Sequence, residues 1–98
     1  SRGVICGAIT FDNVIDPSSA TSISFKNSAQ VASATLVLPG YDASLEVTDL
    51  SYEWATKNWS GSLNTLNVPA GFYQNVGLFI TSKGGQTIKC NVGGLTFQ

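Results

Sequence analysis

The sequence predicts a small all-β domain, and three observations carry that prediction. Apolar and polar residues alternate with a period of two along most of the chain, whereas helical periodicity is nearly absent. Turn-forming residues punctuate the alternation at short intervals, as at Pro39-Gly40, Trp59-Ser60-Gly61 and Gly84-Gly85. Two cysteines lie near the two ends of the 98 residues. We therefore expect a single domain, residues 1–98, folded as an antiparallel β-sandwich or Greek-key barrel of seven to eight short strands.

The predicted strands follow the alternation along the chain. They cover residues 4–11, 21–26, 32–38, 43–50, 62–68, 73–82 and 86–92, with a last short stretch at 95–97. Between residues 45 and 54 the alternation changes phase, from Leu45 and Val47 to Leu50 and Tyr52. A β-bulge near Asp49 would produce this change, because one extra residue reverses which side chains face the core.

A hairpin is the clearest local signal in the chain. Gly84 and Gly85 separate two alternating segments, and adjacent glycines suit a primed two-residue turn, which requires positive φ. Before the turn, Val76, Leu78 and Ile80 share one face of the predicted strand. After it, residues 88, 90 and 92 share the inner face and residues 87, 89 and 91 the outer one.

The composition excludes several classes of function. Only 11% of residues are charged and the net charge is −1, whereas Ser, Thr, Asn and Gln supply 32 residues. Nucleic-acid binding needs clustered cations, but the five basic residues are dispersed: Arg2, Lys26, Lys57, Lys83 and Lys89. No apolar run is long enough for direct membrane insertion.

The two cysteines, Cys6 and Cys90, are expected to form a disulfide. A structural zinc site needs four Cys or His ligands, and the chain has two thiols and no histidine. Both cysteines share a strand face with apolar residues, so two buried thiols are the alternative. A disulfide would close a loop of more than 80 residues and indicate an oxidising, extracellular location, either secreted or at the cell surface.

Catalysis and cofactors find little support. Without histidine, a serine nucleophile needs a lysine base, and no lysine has a serine three residues before it. Asp49 and Glu53 are the best carboxylate pair for a glycosidase, since Tyr52, Trp54 and Trp59 lie beside them. Acidic residues at strand ends more often solvate the surface. We therefore expect no enzyme and no cofactor.

Two further local patterns are weak signals. Asp12, Asn13 and Asp16 offer oxygen ligands for calcium from one loop, but no EF-hand spacing is present and such residues are ordinary turn formers. Asn58-Trp59-Ser60 matches the N-glycosylation sequon, which has meaning only in a eukaryotic secretory pathway.

An aromatic band is the best functional lead. Six aromatic residues fall within 33 positions: Tyr41, Tyr52, Trp54, Trp59, Phe72 and Tyr73. Amide side chains accompany them, and rings plus amides suit a neutral glycan because stacking and hydrogen bonding need no charge. The candidate ligand-binding residues are Trp59, Trp54, Tyr52, Asn58 and Tyr73. We expect Trp59 at a loop tip, and at least one of Tyr52 and Trp54 in the core.

Residues 68–73, Val-Pro-Ala-Gly-Phe-Tyr, carry the one resemblance to known proteins. The phrase resembles the VPAG-x-Y hairpin entry of bacterial extracellular β-sandwich modules, which include fimbrillin-like pilus subunits and polysaccharide-handling surface lipoproteins. It covers six residues and has a simple cause, since Pro69 and Gly71 make a turn before an aromatic begins the next strand. The resemblance implies an extracellular β-sandwich and assigns no functional residue.

Three functional hypotheses remain. The first is a non-catalytic extracellular module that binds a glycan or a cell-surface protein. The second is a structural subunit of a pilus, fibre or coat, because segments 4–11 and 35–38 lack the charges that usually guard edge strands and self-association through them is possible. A position at the centre of a sheet is the alternative explanation for those segments. The third is a small secreted effector or toxin.

Overall fold

The computed structural model describes residues 9–10, 14–15, 21–26 and 30–98, which form two β-sheets. The strands are β1 (Ile9–Thr10), β2 (Val14–Ile15), β3 (Thr21–Lys26), β4 (Val31–Val37), β5 (Leu45–Glu46), β6 (Thr48–Glu53), β7 (Asn58–Leu63), β8 (Gly71–Ser82) and β9 (Thr87–Phe97). One sheet has the order β1-β3-β7-β6 and the other β2-β9-β8-β4-β5. The predicted all-β sandwich is confirmed, with nine strands in the described part rather than seven to eight.

The strand order is that of an immunoglobulin-like sandwich. In the four-stranded sheet, β1, β3, β7 and β6 take the places of strands A, B, E and D. In the five-stranded sheet, β4, β8 and β9 take the places of C, F and G. All described pairs are antiparallel except β2 with β9. Of the two arrangements that the sequence predicts, the structure has the sandwich and not the barrel, because the described strands form two separate sheets.

The core lies between the sheets and follows the period of two. On β8 the predicted inner face is confirmed, since Val76, Leu78 and Ile80 are all buried. On β9 Cys90 is buried, whereas residues 87, 89 and 91 are exposed as predicted. The four-stranded sheet contributes Ile23, Phe25 and Leu63 to the same buried cluster. Strands such as β3 and β4 therefore bury one face, which is why their sequences alternate, whereas β6 contains no buried residue.

The segment predicted as one strand, 43–50, is two strands in different sheets. β5 pairs with β4, and β6 pairs with β7. Val47 lies at the crossing, buried, with its amide donating to the carbonyl of Ala34 at 2.9 Å. The bulge predicted near Asp49 is confirmed, because the pairing register shifts between Thr48 and Ser51 and Asp49 has φ 55°. The crossing and the bulge together change the phase of the alternation.

The prediction of a strand over 62–68 after a turn at Trp59-Ser60-Gly61 is wrong. Residues 58–63 form β7, and residues 64–70 form a loop that crosses to β8. Thr65 and Val68 are buried from that loop although neither takes part in strand pairing. Gly61 is needed for close packing rather than for a turn, since a Cβ there would clash with Val47 and lie 2.8 Å from the carbonyl oxygen of Thr48.

The β8–β9 hairpin also differs from the prediction. The amide of Ser82 donates to the carbonyl of Gln86 at 2.8 Å, so three residues rather than two form the loop. The amide of Gly85 donates to the carbonyl of Ser82 at 3.0 Å, and only Gly85 of the two loop glycines has positive φ, at 92°. This is the three-residue loop in which a turn is followed by a left-handed residue.

The register places three connections at one end of the sandwich. Lys26 pairs with Asn58, which puts the turn 54–57 at the end where β3 finishes. β4 begins five residues later with Val31 opposite Ser82, next to the hairpin, and the backbone amide of Lys83 donates to the carbonyl of Gln30 at 3.0 Å. We call this end the turn end. Loop 64–70 lies at the opposite end, where Leu63 pairs with Thr21.

Candidate functional site

The most exposed aromatic residue lies on the turn between β6 and β7. Trp54 is 79% exposed, which is the highest value among the large apolar residues that the structure describes as exposed. The turn closes through the amide of Thr56, which donates to the carbonyl of Glu53 at 3.3 Å, and Lys57 has φ 57°. The expectation that Tyr52 or Trp54 is in the core is wrong, because Trp54 lies outside the strand and Tyr52 is 39% exposed.

Side chains from two strands brace this turn. Lys26, at the end of β3, donates from Nζ to the carbonyl of Thr56 at 3.3 Å. The hydroxyl of Thr56 donates to Oε1 of Glu53 at 3.0 Å. Each bond is exposed and contributes only about 1 kcal/mol or less. Their combined effect is to fix the backbone beside Trp54, so the indole is presented on a restrained turn.

Tyr52 and Trp59 form a stacked pair on the inner face of the four-stranded sheet. Phe25, Trp59 and Tyr52 are in register across β3, β7 and β6, so their side chains point to the same face. The ring centroids of Tyr52 and Trp59 lie 4.7 Å apart with an interplanar angle of 32°. Trp59 packs against the core, and the prediction that it lies at a loop tip is therefore wrong. Its Nε1 is buried without a hydrogen-bond partner.

Asn58 and Tyr73 lie apart from this aromatic pair. Asn58 is in register with Lys26 and Glu53, so it faces the outer side of the sheet, opposite to Trp59. Tyr73 belongs to the other sheet and to the opposite end, where it pairs with Leu95. The structure therefore brings Tyr52 and Trp59 together, with Trp54 two residues beyond Tyr52, and does not bring Tyr73 to them.

Tyr73 has a structural role that explains the VPAG-x-Y phrase. Its hydroxyl donates to the carbonyl of Pro69 at 2.7 Å, and its ring meets that of Phe97 edge-on at 5.4 Å. A tyrosine at the start of strand F that bonds backbone a few residues upstream is the tyrosine corner of immunoglobulin-like sandwiches. Val68 anchors the same loop in the core. The phrase encodes a corner of the fold, and the suggested resemblance to bacterial modules stays a prediction.

A second surface escaped the sequence analysis. The outer face of the four-stranded sheet carries a regular set of hydroxyl side chains on β3, β7 and β6, which are Ser22, Ser24, Ser60, Ser62, Ser51 and Thr48. We call this set the hydroxyl face. The signal in the sequence is serine at every second position of residues 22–24 and 60–62, between apolar or glycine residues. It was missed because 60–61 were interpreted as a turn.

The other candidate sites from the sequence gain no support from the described residues. Asp49 lies in the bulge near the start of β6, whereas Glu53 ends the strand and its carboxylate accepts a hydrogen bond from the hydroxyl of Thr56. Asp12, Asn13 and Asp16 lie outside the described residues. Within the described ranges no group of three or more His, Cys, Asp or Glu residues could hold a metal ion.

Of the two cysteines of the predicted disulfide, the structure describes only Cys90. Cys90 is 1% exposed, lies in register with Leu78, and is not a free thiol. Cys6 lies outside the described residues, so its bond to Cys90 stays a prediction. In the part of the chain that the structure describes, no helix is long and apolar enough to cross a membrane.

Comparisons with known proteins add no relative. No protein-family model matches the sequence, and no curated protein or solved structure shows significant similarity to the chain. Function must therefore be argued from the residues and their arrangement alone.

Proposed function

We propose that the protein is a non-catalytic extracellular binding module that recognises a neutral glycan at the turn end of the sandwich. The observation that carries the proposal is Trp54, an indole 79% exposed on a turn braced by Lys26 and Glu53. Exposed large aromatics on a restrained loop are typical of binding sites, because little conformational entropy is lost when they stack on a ligand. Tyr52, two residues before Trp54, is 39% exposed and its ring meets that of the partly buried Trp59.

Charged side chains of both signs surround the turn, so the preference for a neutral ligand rests on the indole. Lys26 and Glu53 are engaged with Thr56, whereas Lys57 in the turn and Lys83 in the adjacent hairpin are exposed. A sugar presents an apolar ring face and several hydroxyls, which match an indole and neutral polar groups. The turn also shares its end of the sandwich with the β8–β9 hairpin, as the recognition loops of variable domains share one end. That last point is an analogy of fold alone.

The assembly hypothesis keeps one of its two supports. Segment 35–38 falls mostly in β4, which lies between β8 and β5, so it is not an edge available for strand addition. Of segment 4–11 the structure describes only Ile9–Thr10, at the outside of the four-stranded sheet. No described feature favours a secreted effector. A protein partner at the same turn is the remaining form of the binding hypothesis.

The extracellular location, secreted or at the cell surface, is part of the proposal. It rests on the expected Cys6–Cys90 disulfide, since such bonds persist in oxidising compartments. The burial of Cys90 at 1% exposure supports a structural rather than a reactive role for this thiol.

Binding to a panel of neutral polysaccharides tests the proposal. We expect Trp54→Ala to weaken binding at least about tenfold, which corresponds to roughly 1.4 kcal/mol. Phe72→Ala is the matched control, because Phe72 is also an exposed aromatic, at 61%, but lies at the opposite end. Equal losses in the two variants would show non-specific adsorption. No binding by the unmodified protein across the panel would overturn the glycan form of the proposal.

A further inference from the structure

We propose that the indole N–H of Trp59 is a latent hydrogen-bond donor of the binding site, and that it donates to a sugar hydroxyl oxygen when the ring of Tyr52 turns away from it. This inference rests on the proposed function and deepens it. It adds a polar contact beside the stacking surface of Trp54, and it makes Tyr52 the movable cover of that contact.

The Nε1 atom of Trp59 has no hydrogen-bond partner. Among the residues that the structure describes, it is the one buried side-chain nitrogen or oxygen left unpaired. An indole N–H is a donor only, and a donor that has lost water without gaining an acceptor destabilises the folded protein. Native proteins seldom keep such a group without a use for it. The unpaired N–H therefore points to a second state of the protein in which an acceptor is present.

Packing does not explain the choice of tryptophan at this position. The register places Trp59 between Phe25 on β3 and Tyr52 on β6, so its neighbours on the inner face are two other aromatic side chains. A phenylalanine would pack in the same row and leave no donor unpaired. A buried water is disfavoured there, because it needs about two to four polar partners and the two neighbouring rings carry one hydroxyl. An acceptor that arrives with a ligand meets the need.

Tyr52 is the exposed side chain in ring contact with this indole. The two ring centroids lie 4.7 Å apart, and Tyr52 is 39% exposed. β6 is the outermost strand of its sheet and contains no buried residue, so no further described strand packs against Tyr52 from that side. Exposed side chains change rotamer within picoseconds to nanoseconds. The tyrosine ring can therefore leave the indole without any movement of the backbone.

The position of Tyr52 connects the unpaired N–H with the exposed indole of Trp54. Tyr52 lies two residues before Trp54 along the chain, and it pairs with Trp59 on the neighbouring strand. The braced turn 54–57 joins these two strands, so both indoles belong to the same end of the sandwich. A sugar stacked on Trp54 lies beside Tyr52, and one of its hydroxyl oxygens can replace the tyrosine ring next to Nε1.

The chemistry of the donor limits the ligand. An N–H group binds a hydroxyl or carbonyl oxygen and gains nothing from an apolar surface or from another donor. Each sugar unit carries several hydroxyl oxygens around its apolar face. The contact therefore favours a sugar over an apolar ligand that stacks on Trp54 alone.

Nuclear magnetic resonance of the indole N–H groups tests the inference. The chain has two tryptophans, so an isotope-labelled protein gives two indole signals, and Trp54→Ala assigns them. The probes are short soluble oligosaccharides cut from the neutral polysaccharides of the panel. We expect a bound probe to move the Trp59 indole proton downfield, as a new hydrogen bond does, and to change its exchange with solvent. A Trp59 signal that stays in place while a probe is bound overturns the inference.

A change of one ring atom at Trp59 measures the contribution of the contact. Replacing the indole nitrogen by sulfur, in a chemically synthesised chain, keeps the shape of the ring and removes the N–H. We expect this analogue to bind the probes about three- to tenfold more weakly in calorimetry, as for loss of one hydrogen bond. The same replacement at Trp54 is the matched control and should weaken binding less, because that ring stacks. If the synthetic chain does not fold, Trp59→Phe gives the same comparison.

The outcomes separate this inference from the proposed function. If Trp54→Ala weakens binding while the Trp59 signal and the Trp59 analogue are unaffected, the latent donor is overturned and the stacking site stands. If the Trp59 signal moves and the analogue loses affinity while Trp54→Ala binds normally, the donor stands and the stacking role of Trp54 is overturned. No binding by the unmodified protein overturns both.

Discussion

Replacing Gly61 by alanine should destabilise the protein, although Gly61 lies in a strand where alanine is ordinarily tolerated. Gly61 is in register with Ile23, so a Cβ would point to the inner face. There it would clash with Cγ1 of Val47 and lie 2.8 Å from the carbonyl oxygen of Thr48. One of these neighbours is backbone at the crossing between the sheets, so it cannot rotate away. Relief requires β6 and β7 to separate.

The change in the free energy of unfolding caused by Gly61→Ala is the sum of two opposing effects. Overpacking a core costs about 1–3 kcal/mol, and the backbone contact places this site in the upper part of that range. Replacing glycine also lowers the conformational entropy of the unfolded chain, which raises the free energy of unfolding by about 0.4–1 kcal/mol. We therefore expect Gly61→Ala to lower the free energy of unfolding by about 2 kcal/mol, or the Tm by about 8–16 °C. Urea and thermal unfolding followed by circular dichroism measure both quantities.

A control and a second substitution make this prediction specific. In Gly84→Ala the new Cβ has only Ser82 Oγ near it, at 3.7 Å, so its stability should be unchanged or slightly raised. Val47→Ala combined with Gly61→Ala should cost less than the sum of the single changes, because the shortened side chain vacates the volume that the new methyl occupies. If Gly61→Ala is as stable as Gly84→Ala, the close approach of the crossing to β7 is not as described.

Two further predictions concern the corner and the disulfide. Tyr73→Phe removes the 2.7 Å hydrogen bond to the carbonyl of Pro69 and should cost about 1 kcal/mol in urea unfolding, while retaining the ring packing; a variant with unchanged stability would mean that the corner is held by the ring alone. Reduction should lower the free energy of unfolding by roughly 4–5 kcal/mol in the chain-entropy model, because the Cys6–Cys90 bond would close most of the chain into one loop. Thermal transitions that coincide with and without reductant would exclude that bond.

The candidate site was predictable in part. Trp54 and Tyr52 were identified as candidates from composition and spacing, but at least one was expected in the core and both are exposed. Trp59 was misplaced because Trp59-Ser60-Gly61 has the composition of a turn, whereas Gly61 serves a close approach of Val47. The hydroxyl face depends on strands distant in sequence becoming neighbours, and no local pattern specifies that.

The alternation of apolar and polar residues is sufficient to predict the all-β class, the inner faces of β8 and β9, and the bulge at Asp49. These features are local, because a strand with one buried face must alternate and an inserted residue must reverse the phase. Three other features depend on contacts between distant segments: the pairing of the strands, the crossing of segment 43–50 between the sheets at Val47, and the burial of Thr65 and Val68 from a loop, 64–70, that is not a strand. Glycine and alternating apolar residues have more than one structural use. The contacts that select among them come from residues far away along the chain.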